Sequence, residues 1–146
     1  MSMSNAAETA FMDLLFRNAN WSNVGDATGL RGATAAGSFY FALHTADPGE
    51  AGDQSTNEAA YTGYARVAVV RSGVGFSLAG NTVANAALLQ FPQCTGGSAT
   101  CTHFSIGVAS SGAGQIVLSG ALNASLAVSN LIQPQFDPGA LTASAD

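Results

Sequence analysis

Lysine is absent from this 146-residue sequence, and its only permanent cations are Arg17, Arg31, Arg66 and Arg71. Nine acids leave a net charge of −5. Holding a phosphate backbone takes clustered basic side chains, so direct nucleic-acid binding is not expected. Charged residues of both signs make up 9% of the chain, where an average soluble domain has roughly 25%. Long apolar runs are missing too: no segment reaches the ~20 residues a membrane-spanning helix needs, and no membrane partner is expected. Met1 to Thr9 has neither the basic start nor the apolar stretch of a secretory signal. Synthesis in the cytoplasm without export by that route is the expectation. With only Cys94 and Cys101, the chain is not a disulfide scaffold.

What is present is apolar and small. Hydrophobic residues reach 47%, which excludes disorder for the bulk of the chain. The length suits one domain, residues 1–146. A helix is expected over residues 6–17, opened by Asn5 with Glu8 as a loose capping box. Its apolar face would comprise Phe11, Leu14 and Leu15, with Ala7 ahead of them. After a glycine-rich stretch, residues 38–143 read as a β-rich body of short strands punctuated by Gly, Asn and Pro. Ser38 to His44 is its most apolar segment and Tyr64 to Arg71 alternates. Weaker strands are read at Val74 to Leu78, Ala87 to Phe91, Thr102 to Val108, Gln115 to Leu122 and Leu131 to Phe136. The fold class is therefore mainly β, an antiparallel sandwich or barrel-like domain with one N-terminal helix.

Candidate site residues fall in three groups. The loop from His44 to Glu58 holds four of the nine acids, Asp47, Glu50, Asp53 and Glu58. A loop this long in a compact domain is usually functional or mobile. Its acids lack EF-hand spacing, so a solvated or partner-contacting loop is expected and no metal. Arg66 and Arg71 serve either intersubunit carboxylate pairs or pairs within the chain. Cys94 and Cys101 flank Gly96-Gly97, a turn that would face them across a hairpin as a cystine or as two free thiols. Catalysis has no motif to rest on. His44 and His103 are accompanied by no nucleophile elbow or zinc helix, and Gly112-Ala113-Gly114 precedes a strand rather than a phosphate-cradling helix. No catalytic residue, cofactor or enzymatic activity is expected.

Several stretches resemble small virion structural proteins of tailed bacteriophages. They are His44-Thr45-Ala46-Asp47-Pro48-Gly49-Glu50-Ala51-Gly52-Asp53-Gln54, Asn57-Glu58-Ala59-Ala60-Tyr61-Thr62-Gly63-Tyr64-Ala65-Arg66-Val67, Phe91-Pro92-Gln93-Cys94-Thr95-Gly96-Gly97, Thr102-His103-Phe104-Ser105-Ile106-Gly107 and Leu118-Ser119-Gly120-Ala121-Leu122. Phe16-Arg17-Asn18 and Asn23-Val24-Gly25-Asp26 are similar as well. Members of that family are labelled tail-fibre proteins or head decoration (cement) proteins. The resemblance implies a decoration protein on the capsid exterior that bridges capsomers. Its partners would be the major capsid protein and further copies of itself, as a trimer or dimer. The alternative is a minor tail or tail-fibre component in contact with the host surface.

Overall fold

The computed structural model describes residues 2–25 and 29–144; Asp26 lies outside them. The chain falls into two compact units. One comprises Met1–Ser38, Val70–Leu88 and Asp137–Asp146, the other Phe39–Val69 and Leu89–Phe136.

In the first unit, α1 (Asn5–Arg17) starts one residue earlier than expected, and its cap is Ser4 rather than Asn5. Ser4 holds extended backbone (φ −77°, ψ 152°) and its Oγ accepts from the Ala7 N–H at 3.3 Å, quenching a donor that the first helical turn cannot satisfy. The helix ends at Asn18 in the left-handed region (φ 57°), where Asn is among the few tolerated residues. Arg71 closes the same end. Its Nε donates to the Leu15 carbonyl at 2.7 Å and its Nη2 to the Leu14 carbonyl at 3.0 Å, where a cation also meets the negative end of the helix dipole.

The buried stripe of α1 is Glu8, Met12 and Phe16, which corrects the expected face. Phe11 is 40% exposed, while Phe16 lies fully buried and edge-on to Phe76, centroids 5.2 Å apart. The helix packs on β3 (Phe76–Ala79) and β4 (Thr82–Asn85), which with β9 (Thr142–Ser144) form a three-stranded sheet in the order β3-β4-β9. Asn85 ties this sheet to its return strand. Its Nδ2 donates to the Ala87 and Asp137 carbonyls at 2.9 Å, and its Oδ1 accepts from the Leu141 N–H at 3.0 Å.

The second unit is built on β1 (Ser38–His44), β2 (Val67–Val70), β6 (Ser98–Gly107) and β7 (Ile116–Ser129), in the order β2-β1-β6-β7. β1 and β6 pair antiparallel from Tyr40↔Gly107 to His44↔His103. Directly paired residues share a face, so Phe41, Leu43, Phe104 and Ile106 form one buried layer, with Phe41 stacked on Phe104 at 6.4 Å. Ala42, His44 and Ser105 on the opposite face are also buried. A strand buried on both sides needs cover on both, and the acidic loop supplies it. β5 (Leu89–Gln90) and β8 (Gln135–Phe136) form a short antiparallel pair beside Phe91, which stacks on Tyr64 and meets Phe136 edge-on, each at 6.2 Å. The fold is thus mainly β, antiparallel, with one N-terminal helix, and its sheets do not close into a barrel.

Phe16→Ala is expected to cost ~3–5 kcal/mol, the usual range for a buried aromatic, whereas Phe11→Ala stays near the ±0.5 kcal/mol of a surface change. Urea unfolding followed by circular dichroism measures both.

Candidate functional site

The long loop is pinned rather than mobile. Three of its four acids have a local use. Asp47 Oδ1 accepts from the Gly49 N–H at 2.9 Å, forming the turn that Pro48-Gly49 prefigures. Asp53 Oδ1 accepts from the Ser55 N–H at 2.8 Å and the Ser55 hydroxyl at 2.6 Å. Those bonds hold its carboxyl below the usual aspartate range. Glu58 faces Arg66, and Glu50 is exposed at a cleft wall. Among the described residues, no group of three or more His, Cys, Asp or Glu is placed to hold a metal ion.

The centre of the arrangement is Arg66. Its Nε and Nη2 reach the two Glu58 oxygens at 2.7 and 2.8 Å in a bidentate pair. Nη1 donates to the Ala109 carbonyl at 2.9 Å and Nη2 to the Gly112 carbonyl at 2.6 Å. The arginine side chain is 1% exposed and the glutamate 19%. The bond to Glu58 raises the guanidinium pKa above its ordinary value, against the opposing effect of burial. Tyr64 extends the network: its hydroxyl donates to Glu58 Oε1 at 3.0 Å and accepts from the Leu43 N–H at 3.0 Å. Burial pushes that phenol's pKa up. Of the two uses the sequence left open for Arg66, the structure shows the one within the chain. Arg71 is likewise turned inward, onto the carbonyls of α1.

Gln54, which sequence reasoning passed over, is the plug beneath the loop. Fully buried, it donates from Nε2 to the Tyr40 carbonyl and accepts at Oε1 from the Ala109 N–H, each at 3.0 Å. Gly107 and Gly114 make room for it, since a Cβ at either would collide with its side chain. His44 lies under the same loop with no exposed surface. One ring nitrogen, Nδ1, stands 2.8 Å from the Thr56 carbonyl, which can only accept, so Nδ1 carries the proton. Nε2 then accepts from the Ser105 hydroxyl at 2.8 Å. This is the separation of a base and a nucleophile, but both residues are 0% exposed and the ring is oriented by a backbone carbonyl rather than a carboxylate. Burial lowers the His44 pKa.

Cys94 and Cys101 are both buried free thiols. The Gly96-Gly97 turn does not make them hairpin partners. Cys94 exchanges backbone bonds with Ile132 and Leu131 at 2.8 Å, and Cys101 stands opposite Leu126 of β7. Thr62 instead forms a bridge with Gly96 of that turn. Burial raises the Cys101 pKa, and burial together with the two thiols pushes Tyr61 up to about 12.

A cleft of about 640 Å³ remains open on this unit. Its walls include Asp47 and Glu50 of the loop, His103 of β6 and residues 116–121 of β7.

Arg66 and Arg71 spent on internal acceptors in a weakly charged chain suit a structural component, and the comparison with protein families makes that specific: this is a virion structural protein of a bacteriophage. The chain belongs to the family described as podophage GP4 fiber I protein gp80, whose model matches residues 2–144. No curated protein matches the chain.

Two stability measurements follow from the site. Arg66→Ala is expected to cost ~3–5 kcal/mol, because it strands a partly buried carboxylate and two carbonyls. Arg66→Lys should recover only part of that loss, since a point cation cannot span Glu58 and both carbonyls. Urea titrations compare the three chains. For His44, the folded pKa lies below the unfolded value, so the unfolded chain takes up the proton first as pH falls. Stability is therefore full above about pH 6.5 and declines as pH drops through that value towards the folded pKa. Melting temperatures between pH 8 and pH 5 should show this decline, and His44→Gln should flatten it.

Proposed function

We propose that the chain is a building block of a phage fibre, assembled on the tail side of the particle by non-covalent contacts. The observation that carries this reading is the family match over residues 2–144 to a protein described as a fibre component. The structure supports it in kind. A repeated block needs a rigid body, and the pinned loop with its Arg66–Glu58 lock supplies one. It also needs surfaces that adhere without strong charge, which suits a chain with no lysine. Many weak contacts along a repeating assembly add up through effective concentration.

Capsid decoration, the role first implied by the sequence resemblance, calls for the same rigidity and low charge. The two differ in place and number. Cryo-EM of purified particles, with quantitative mass spectrometry of their proteins, separates them. The fibre reading expects density at the tail vertex and a copy number in the range of the tail components. Density spread over the head, at a copy number near that of the major capsid protein, would overturn it.

A further inference from the structure

The edges of the four-stranded sheet differ in kind. β2, at one edge, has only four residues. Short length is a usual protection of an exposed edge. β7, at the other, runs for fourteen residues, Ile116–Ser129, without a charged residue or a proline. Among the described residues no strand pairs with its outer side. A row of unsatisfied backbone donors and acceptors on an unprotected strand is a template for one more strand.

The cleft beside this edge says what that strand carries. Ser105 pairs with Ser119 and His103 with Ala121, so Ser119 and Ala121 point to the side the acidic loop covers. Both are small. A long side chain from an added strand can cross them towards the loop wall of the cleft, where Asp47 and Glu50 are exposed. The charge complement of that wall is a lysine or arginine. A second copy paired through its own β7 brings none on that strand, which has no cation; its Arg66 and Arg71 are held by internal acceptors, and its Arg17 and Arg31 lie outside every strand.

We infer that the outer edge of β7 at residues 116–121 receives an extended segment of a different virion protein as an added antiparallel or parallel strand, with a basic side chain of that segment reaching Asp47 and Glu50. The backbone of β7 provides the hydrogen bonds and the acidic wall provides the choice of partner. This goes beyond the fibre reading and rests only on the chain being a virion component.

Hydrogen exchange tests it in two states of the wild-type chain, isolated in solution and in purified particles. Amides of residues 116–121 are expected to exchange at least about tenfold more slowly in the particle, a change of ~1.4 kcal/mol. Phage carrying Glu50→Lys or Ser119→Lys should incorporate fewer copies of the chain, by at least about fivefold. Both substitutions lie on the surface, and melting of the isolated variants confirms that they fold. Equal exchange in the two states overturns the inference. So does protection already present in an isolated dimer, which would put a second copy on the edge. Incorporation of the folded variants at wild-type level removes the basic side chain from it. Failure of the fibre reading shows separately, as density on the head with residues 116–121 still protected.

Discussion

The unit built on the four-stranded sheet depends on one buried cation. Arg66 joins three stretches of chain distant in sequence: its own strand end, Glu58 at the close of the long loop, and the turn carrying Ala109 and Gly112. A buried guanidinium is tolerable only when its donors are met and its charge is balanced. Here both conditions hold at once, and each fixes a backbone segment. With Glu58 and Ala109 in place, Gln54 has its cavity between Gly107 and Gly114. With the loop seated on Gln54, His44 and Ser105 can be buried with their polar atoms satisfied. The two-sided burial of β1 follows from that seating.

The sparse charge of the chain acquires a meaning from this arrangement. Arg71 closes the C-terminus of α1, Arg17 pairs with Asp13 one turn away at 3.3 Å, and Asp53 caps its own turn. Charges placed in this way shape backbone rather than surface. A freely diffusing protein relies on surface charge to keep copies apart. A virion component is held among neighbours instead. Membership of a phage fibre family is consistent with that allocation.

Legibility from sequence tracked side-chain size. β1 is visible residue by residue because Phe39, Tyr40, Phe41 and Leu43 leave no other reading. β4 and β9 escape notice because Thr82-Val83-Ala84-Asn85 and Thr142-Ala143-Ser144 have the composition of a loop, and pairing alone makes them strands. β7 continues past Leu122 to Ser129 through Asn123, Ala124 and Ser125 for the same reason. On α1, counting large apolar residues selects Phe11, yet packing against Phe76 selects Phe16 and Met12. Glu58 and Arg66 both stood out as charges in a charge-poor chain, but their pairing is a property of the fold. Gln54 carried no signal at all: a polar residue in a polar loop becomes the central plug only because two glycines elsewhere make room.

The undefended edge of β7 raises a physical difficulty, since fourteen uncharged residues invite pairing with a second copy. The register of the strand answers it in part. Between Cys101 and His103 of β6 the partner moves from Leu126 to Ala121, so β7 bulges across residues 122–125. A bulge bends and twists its strand, and two copies bent alike cannot run in register over their whole length. The regular stretch from Leu118 to Ala121 is short enough to pair with a single peptide segment and too short to hold two whole chains together on backbone bonds alone. Selectivity between those two outcomes then falls to side chains. The acids that face this stretch, Asp47 and Glu50, are the pair that Arg66 leaves unneutralised on the outer part of the loop.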